Sequence, residues 1–379
     1  MKLLFVTNLC PHYRVKTFET LAGCIPTQFI FFSQGGERYW NPNLHGRQHG
    51  NFPHEYLSGF SLGPVHVTPA LVARVWQTDA DAIIKCITGR FALPVTYLLT
   101  RLRRKPFVLW TGIWSHPTTL FHRLTFPLTR YIYTHADAIA VYGVQVRDHL
   151  IGLGVKPERV FVAWHAVDNA VYDGPVSPEE RAALRAELGL AADVCMILYV
   201  GRLDPSKGLP DLVLAAAQLA DLRPVVVFVG TGVLRESLAA QATSLDVEAR
   251  FVGYVPTRDL YRYYAAAQVF VLPSVTTSAG KEPWGLVVNE AMNQGVPVIV
   301  SSAVGAGAGG LVRDGETGLV VPEQNPEALA AALGRVLADP AFAARLGGAG
   351  RREVAQWTND RMVSGFTAAA EFAARQAAR

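Results

Sequence analysis

Residues 269–300, VFVLPSVTTSAGKEPWGLVVNEAMNQGVPVIV, decide the fold, and they have the pattern strand, loop, helix, strand. VFVLP is a short apolar, β-branched run that Pro273 closes, and VPVIV is a second apolar run; both are typical of buried parallel strands. Between them, a polar loop precedes the helical stretch GLVVNEAMNQG, which Gly295 is placed to end. The stretch therefore predicts an open α/β sheet, in which ligands bind outside the carboxyl ends of the strands.

Two glutamates flank the start of this predicted helix. Glu282 lies in the loop, and Glu290 lies eight residues later inside the helix. Between them, the amides of Gly285, Leu286 and Val287 open the helix, and free amides at a helix N-terminus attract anions. A sugar nucleotide offers hydroxyls at both ends and a diphosphate in the middle. The arrangement suits sugar hydroxyls on Glu282, phosphates on the helix start and ribose hydroxyls on Glu290.

The segment Glu282-PWGLVVN-Glu290 resembles the E-x7-E motif of retaining glycosyltransferases of family 4, which have the GT-B fold. The phrase EPWGLVVNEAMNQGVPVIVSSAVG is similar to the bacterial polysaccharide-assembly members. The resemblance implies an α/β chain with two Rossmann-like, doubly wound parallel-sheet domains and an interdomain cleft. The alternative is a surface carboxylate at 282 and a helix-face carboxylate at 290, because two glutamates at one spacing also recur by chance.

A second motif follows the apolar run MILYV at residues 196–200. Gly201-Arg202 and Lys207-Gly208 match the family's G-R-x4-K-G pattern. A nucleoside diphosphate leaving group gains negative charge as the glycosidic bond breaks, and two fixed cations near its β-phosphate stabilise that charge without a metal. The resemblance therefore implies that Arg202 and Lys207 are catalytic and that no metal or other cofactor is needed. The alternative is a pair of exposed loop cations.

Further positions are candidates for the donor site. Gly230 follows the strand VVVFV and lets the backbone approach a ligand closely, as in mononucleotide sites. In members of the family, the segment equivalent to Val252 and Tyr254 lies by the nucleobase. His116 lies past the carboxyl end of the strand KPFVL, and the family often has a histidine there that contacts the donor sugar or diphosphate. The alternative for His116 is a structural loop histidine.

The loop after the first strand, NLCPHYR, differs from the Gly-rich acceptor loop of many members. Its Pro11-x-Tyr13-Arg14 resembles a variant found in polysaccharide-assembly members. Two interpretations remain open: Tyr13 and Arg14 hold an anionic acceptor, or they serve the turn and the start of the following helix. Residues 34–63 are rich in Gly, Asn, His and Pro and are predicted to form a long irregular loop.

Charge is unevenly distributed along the chain. Residues 1–170 contain 17 Lys and Arg against nine Asp and Glu, whereas the whole chain has a net charge of +4. A basic cluster at Arg101, Arg103, Arg104 and Lys105 and a basic, aromatic stretch over 120–133 indicate contact with a membrane interface. The alternatives are a solvated helix end and an ordinary core-facing helix. Since no nucleic-acid-binding motif is present, an anionic membrane surface or a lipid diphosphate is the better partner.

At 379 residues the chain suits two domains. The turn-rich stretch DGPVSPEE marks the boundary, so we predict an acceptor domain over 1–172, a nucleotide-sugar domain over 173–355 and a helix over 356–379 that returns to the first domain. The N-terminus reads as a strand and not as a signal peptide, and no apolar run is long enough to span a bilayer. Four scattered cysteines favour free thiols in the cytoplasm.

These features predict a retaining hexosyltransferase that takes a UDP- or GDP-sugar and acts on a lipid-linked or glycan acceptor in cell-envelope or exopolysaccharide assembly. The sequence offers no suitably placed carboxylate nucleophile, so the resemblance implies a front-face mechanism in which the leaving phosphate helps to deprotonate the acceptor. Two alternatives stay open: a glycosyltransferase with a soluble small-molecule acceptor, and a non-catalytic module that binds sugar nucleotides or glycolipids. A phosphorylase is less favoured because no lysine motif for pyridoxal phosphate is found.

Overall fold

The computed structural model describes residues 1–33, 50–63 and 65–377. The chain divides into two compact units. The first unit comprises Met1–Gly112, Leu120–Asp168 and Asn359–Arg379, and the second unit comprises Ile113–Thr119 and Asn169–Thr358. The predicted domain limits did not separate Ile113–Thr119 from their neighbours in the chain.

The described part of the first unit is built on a seven-stranded parallel sheet. The strands of the unit, in chain order, are β1 (Leu3–Thr7), β2 (Thr27–Phe31), β3 (His54–Tyr56), β4 (Phe60–Leu62), β5 (Val65–Val67), β6 (Ala82–Cys86), β7 (Phe107–Thr111), β8 (Ala138–Val141) and β9 (Val160–Val162). The sheet has the order β3-β2-β1-β6-β7-β8-β9, and β4 and β5 form a separate antiparallel hairpin. Helices up to Asp168 are α1 (Val15–Cys24), α2 (Ala70–Gln77), α3 (Ala92–Leu102), α4 (Leu120–His135) and α5 (Val144–Gly152).

The irregular loop predicted over residues 34–63 is partly wrong. Residues 34–49 lie outside the described part of the chain. In the remainder, β3 pairs with β2 and β4 pairs with β5. Local composition cannot reveal β3 because its partner β2 lies more than 20 residues earlier, whereas β4 is a three-residue strand too short to give a clear alternating pattern.

The second unit contains a parallel sheet that has six strands within the described residues. Its strands are β10 (Met196–Val200), β11 (Val225–Val229), β12 (Ala249–Gly253), β13 (Val269–Leu272), β14 (Val298–Ser301) and β15 (Leu319–Val321), in the order β12-β11-β10-β13-β14-β15. Its helices are α6 (Pro178–Glu187), α7 (Leu209–Ala217), α8 (Arg235–Ser244), α9 (Leu260–Ala266), α10 (Leu286–Asn293), α11 (Gly305–Ala308), α12 (Pro326–Ala338) and α13 (Pro340–Val354). Strand order reverses between β10 and β13, so a ligand crevice is expected at their carboxyl ends.

The last helix, α14 (Asn359–Ala377), belongs to the first unit. Its Phe366 ring packs edge-on against Phe5 and Trp110, with centroids 5.6 Å and 5.4 Å away. At its start, the Thr17 hydroxyl donates a hydrogen bond of 2.6 Å to Asn359 Oδ1. The helix thus completes the core of the first unit, although it follows the whole second unit in the sequence. Among the residues described, no helix is both long and apolar enough to cross a bilayer.

Candidate active site

The motif residues of the second unit meet at one edge of its sheet. Strands β10 and β13 are hydrogen-bonded neighbours and run parallel, so the loops that follow them leave the sheet side by side. Lys207, in the loop after β10, forms an ion pair with Glu282 Oε2, in the loop after β13. Both side chains are largely shielded, with 13% and 17% exposed. Ser274 Oγ donates a further hydrogen bond of 3.3 Å to the same Glu282 oxygen. The predicted phosphate-binding cation and the predicted sugar-binding carboxylate are therefore adjacent.

Gly208 allows this approach. Its φ of +61° lies in the left-handed region, and a Cβ at this position would collide with the carbonyl oxygen of Pro273. A side chain at 208 would push the loop that carries Lys207 away from the loop that carries Glu282. The K-G pair in the motif thus combines a cation with the backbone geometry that places it.

Arg202 lies at the same edge, immediately beyond β10. Its Nη1 is 3.1 Å from Asp204 Oδ2, and its side chain is 57% exposed. The Tyr199 hydroxyl donates a 2.7 Å hydrogen bond to the Arg202 carbonyl and fixes the backbone there. Asp204 Oδ1 also accepts from the Ser206 amide at 3.0 Å, which shapes the turn before Lys207. The guanidinium is accessible to a ligand at the sheet edge.

Helix α10 begins at the same place. Gly285 is its N-cap, and Leu286 and Val287 supply the first amides of its first turn. Trp284, just before the helix, is buried, and its Nε1 donates a 2.8 Å hydrogen bond to Asn289 Oδ1. This bond ties the end of the loop to the helix that carries Glu290.

Glu290 is buried within α10, with only 7% of its surface exposed. The Tyr264 hydroxyl, from α9, donates a hydrogen bond of 2.7 Å to Glu290 Oε2. Burial raises the pKa of Glu290 to about 7, while hydrogen bonds from Tyr264 and Tyr172 act in the opposite direction. Glu290 therefore exchanges its proton near neutral pH.

The ends of β11 and β12 complete this edge of the sheet. Gly230 follows β11, and its amide donates a 2.7 Å hydrogen bond to the carbonyl of Gly253 at the end of β12. Val252 is half-buried in β12, and Tyr254 beyond it is 51% exposed. The structure thus brings the candidates Gly230, Val252 and Tyr254 to the sheet edge that also carries Arg202; their contacts with a nucleobase stay a prediction.

His116 lies in the segment Ile113–Thr119, which belongs to the second unit. The Thr118 amide in this segment donates a 2.9 Å hydrogen bond to the carbonyl of Ser278, four residues before Glu282. The candidate His116 is therefore carried by a segment that is attached to the loop of Glu282. Its contact with a donor stays a prediction.

The acceptor-side candidates lie in the first unit and differ in exposure. Tyr13 is half-buried, whereas Arg14 is only 3% exposed. Arg14 Nη2 lies 2.7 Å from the imidazole nitrogens of His165, and its guanidinium carbon lies 5.2 Å from the centre of the Trp110 ring. Burial lowers the pKa of Arg14 and places that of His165 well below its usual range. The contacts seen for Arg14 thus join it to its own unit, and its role toward an acceptor stays a prediction.

Sequence reasoning missed several residues that fix this site. Tyr264 carried no signal, because its role depends on α9 packing beside α10. Trp284 and Asn289 lie inside the quoted motif, but Trp284 precedes the helix and is five residues from Asn289, so helical spacing does not predict their pairing. In the described ranges, no group of three or more His, Cys, Asp or Glu side chains has the arrangement of a metal site.

Comparison with known proteins finds one family model and several relatives that match part of the chain. Residues 180–353 match the family model described as "Glycosyl transferases group 1". A D-inositol 3-phosphate glycosyltransferase of Nocardioides sp. is 39% identical over 210 residues, which are 50% of this chain and 43% of that protein. A GDP-mannose-dependent monoacylated alpha-(1-6)-phosphatidylinositol monomannoside mannosyltransferase of Corynebacterium glutamicum is 34% identical over 189 residues, 48% of this chain and 49% of the relative. The chain thus spans about half the length of the relatives that it matches.

Two solved structures share the fold over nearly the whole chain. The Anabaena protein Alr3699/HepE, solved in complex with UDP, aligns with a TM-score of 0.77 at 22% identity and covers 97% of this chain and 98% of its own. WaaG, a glycosyltransferase involved in lipopolysaccharide biosynthesis, aligns with a TM-score of 0.65 at 16% identity, with the same coverage of 97% and 98%. The predicted GT-B fold, with its two Rossmann-like parallel-sheet domains, is confirmed.

Proposed function

Because residues 180–353 match the glycosyl transferases group 1 family model and the chain has the GT-B fold, we propose that this protein is a retaining hexosyltransferase that uses a nucleoside diphosphate sugar. The observation that carries the proposal is the pairing of Lys207 with Glu282 at the carboxyl ends of two adjacent parallel strands. A cation for phosphate and a carboxylate for sugar hydroxyls lie where the two halves of such a donor join. UDP and GDP are the candidate carriers, since one fold neighbour was solved with UDP and one relative is named as GDP-mannose-dependent.

The leaving diphosphate is the group that this site stabilises. An ammonium has three N–H donors, so Lys207 can keep its bond to Glu282 and still donate to the β-phosphate. Arg202, more exposed, supplies a second fixed positive charge on the same edge. Both charges act as the anomeric C–O bond breaks and negative charge develops on the phosphate oxygen. We propose that these two cations replace a metal ion in this role.

We propose that the transfer retains the anomeric configuration through the front-face mechanism that the family resemblance implies. The ion pair of Glu282 with Lys207 supports this proposal over a double displacement, because it engages the carboxylate that would otherwise be available as a nucleophile. In a front-face transfer, the acceptor oxygen attacks from the side on which the diphosphate leaves. The acceptor hydroxyl gives its proton to the departing phosphate oxygen, the C–O bond to the diphosphate breaks, and the new glycosidic bond forms with the same configuration.

We assign the remaining groups of the donor to other residues near the same edge of the sheet. We assign the ribose hydroxyls to Glu290, the phosphates to the amides of Gly285, Leu286 and Val287, and the nucleobase to the edge formed by Gly230, Val252 and Tyr254. The three nucleobase candidates lie at the ends of β11 and β12, which are the two strands on one side of β10 in the sheet. His116 is assigned to the donor sugar or diphosphate.

We propose that the acceptor is lipid-linked and that the first unit binds the anionic cytoplasmic face of a membrane in the course of envelope or exopolysaccharide assembly. Residues 82–136 contain eight Lys and Arg and no Asp or Glu. On α4, the apolar side chains of Leu120 and Leu124 are each 73% exposed, and Leu128 is 50% exposed. Their spacing places them on one face of the helix. An exposed apolar stripe with basic neighbours suits an interfacial segment better than a core-facing helix.

The basic cluster contributes less free charge than its sequence suggests. Arg101 forms two hydrogen bonds with Asp137, at 3.1 Å and 2.9 Å, so its charge is offset. Lys105 Nζ donates to the carbonyl of Ala80 at 2.7 Å. Arg103 and Arg104 are then the members of the cluster best placed to bind phosphate groups of lipids.

A soluble phosphorylated acceptor is the second candidate, because several relatives are named as D-inositol 3-phosphate glycosyltransferases. One experiment tests the proposal and separates the two acceptors. The purified protein is incubated with UDP-glucose or GDP-mannose and either a lipid diphosphate-linked sugar or inositol 3-phosphate, and the anomer of the product is determined by NMR. We expect transfer to the lipid-linked sugar with the donor configuration retained. Inverted product would contradict the mechanism, and transfer to inositol 3-phosphate alone would assign the soluble acceptor.

A further inference from the structure

We propose that Trp114 is a positioning residue that holds Glu282 in register with the donor sugar; this rests on the proposed role of Glu282 as the sugar-binding carboxylate. Trp114 lies in Ile113–Thr119, a segment between β7 and α4. Both of those elements belong to the first unit, yet the segment itself packs with the second unit. Specific contacts should therefore explain why this short segment belongs to the second unit.

Three contacts attach the segment to the loop between β13 and α10. Trp114 Nε1 donates a 2.9 Å hydrogen bond to the carbonyl oxygen of Glu282 itself. The Thr118 amide donates a second 2.9 Å bond to the carbonyl of Ser278. The ammonium of Lys281 lies 4.9 Å from the centre of the Trp114 ring, within the range of a cation–π contact. The contacts therefore lie at both ends of residues 278–282, the part of the loop that ends at the proposed sugar-binding carboxylate.

The loop is shaped to receive this segment. Gly280 has a φ of +104°, and a Cβ there would lie 2.8 Å from the Ser115 carbonyl oxygen. Backbone meets backbone at this point, and only glycine fits both the conformation and the space. Glycine at position 280 thus permits the close approach between this loop and the backbone of Ser115.

Trp114 adds a constraint to those that the loop after β14 already places on Glu282. The Glu282 amide donates to Ala303 at 3.1 Å, and the Glu282 carbonyl accepts from the Gly305 amide at 3.1 Å. These bonds tie Glu282 to the loop after β14. The indole N–H reaches the same carbonyl from a different part of the chain. Together the two donors fix the orientation of the peptide plane, and hence the direction in which the Glu282 side chain leaves the backbone.

Loss of one such bond has a small effect on stability and a larger one on catalysis. A single neutral hydrogen bond makes a small net contribution to folding. A displacement of about 1 Å in a positioning group can reduce turnover about 100-fold. We therefore expect Trp114→Phe, which keeps an aromatic ring and removes the N–H, to lower kcat roughly 10-fold. Its affinity for free UDP or GDP should stay within about 2-fold of wild type, because Glu290 and Gly230 are untouched.

The test measures transfer rates, together with the affinities for UDP and UDP-glucose, or for GDP and GDP-mannose if that pair binds. A double-mutant cycle compares the wild type with Trp114→Phe, Glu282→Gln and the double variant. The matched control is Trp76→Phe, which changes an exposed tryptophan of α2. We expect Trp114→Phe to weaken sugar-nucleotide binding more than nucleotide binding, and its effect on kcat to disappear in the Glu282→Gln background. Trp76→Phe should match wild type.

Two kinetic results would overturn this role: unchanged kcat in Trp114→Phe, or an equal proportional loss in the wild-type and Glu282→Gln backgrounds. Either would show that Trp114 does not act through Glu282. A wild type that binds no sugar nucleotide would instead refute the proposed function, and the inference with it. A fall in thermal stability with equal weakening of nucleotide and sugar nucleotide would assign Trp114 to folding alone.

Discussion

Glu290 offers a quantitative prediction, because its burial couples folding to pH. The carboxyl is 7% exposed, and burial raises its pKa from the ordinary value of 4.5 to about 7. In the unfolded chain the same group is in water and ionises near its ordinary value. Replacing it by glutamine keeps the shape and the acceptor for Tyr264 while removing the titration.

The sign follows from proton binding in the two states. Below pH 4.5 the carboxyl is protonated in both the folded and the unfolded chain, so its favourable contribution is fully present. As pH rises toward 7, the unfolded chain loses this proton while the folded chain retains it, so the folded state is progressively destabilised. At about 1.36 kcal/mol per pH unit, the free energy of unfolding falls by about 2.5 kcal/mol between pH 5 and 8 on account of this one group.

Urea titrations of wild type and Glu290→Gln at pH 5, 6, 7 and 8 measure this effect. We expect the difference in free energy of unfolding to move in favour of the variant by about 2.5 kcal/mol across the range. Tyr264→Phe is the companion variant. It removes a hydrogen bond that lowers the pKa of Glu290, so the transition should move to higher pH. Parallel pH profiles for wild type and Glu290→Gln would refute the reasoning, since they would show that residue 290 binds no proton in this range.

Three further outcomes are expected. Turnover should persist in EDTA, because Arg202 and Lys207 are proposed to replace a metal; loss of activity that magnesium or manganese restores would contradict this. Gly208→Ala should reduce turnover and nucleotide affinity together, since a Cβ there meets the Pro273 carbonyl, and wild-type kinetics in this variant would show that the two loops need not approach. The protein should sediment with anionic liposomes at low salt and be released at high salt, and the double variant Arg103→Ser/Arg104→Ser should weaken the free energy of liposome binding by about 1 kcal/mol per charge removed. Arg74→Ser, which removes an arginine paired with Glu55, is the control, and equal binding to neutral liposomes would contradict the electrostatic account.

Local patterns were enough to predict the elements around the active site. The apolar runs gave β13 and β14, and the helical stretch gave α10, because strand burial and helix termination depend on residues close in the sequence. The pairing of Lys207 with Glu282 could not be predicted in the same way. It depends on β10 lying next to β13, which is a property of strand order and not of either segment.

Two other features could not be predicted from the sequence because they also depend on contacts between distant segments. The burial of Arg14 follows from aromatic residues and from His165, which the fold brings together from distant segments. The attachment of Ile113–Thr119 to the second unit depends on contacts with residues more than 150 positions away. Side-chain roles that need a partner from another segment were therefore the part of the site that sequence patterns left open.

Turnover in Arg202→Ala and Lys207→Ala measures whether two fixed cations stabilise a leaving nucleoside diphosphate. Transfer from UDP-glucose or GDP-mannose is followed under saturating donor, with UDP or GDP affinity measured in parallel. Removing one stabilising donor should raise the barrier by about 2.7–4 kcal/mol, so each variant should lose turnover by roughly 100- to 1,000-fold and bind the diphosphate more weakly. Arg258→Ala, an exposed arginine beside Asp259, is the matched control and should match wild type. Near-normal turnover and diphosphate affinity in both variants would contradict the claim and place the leaving group elsewhere.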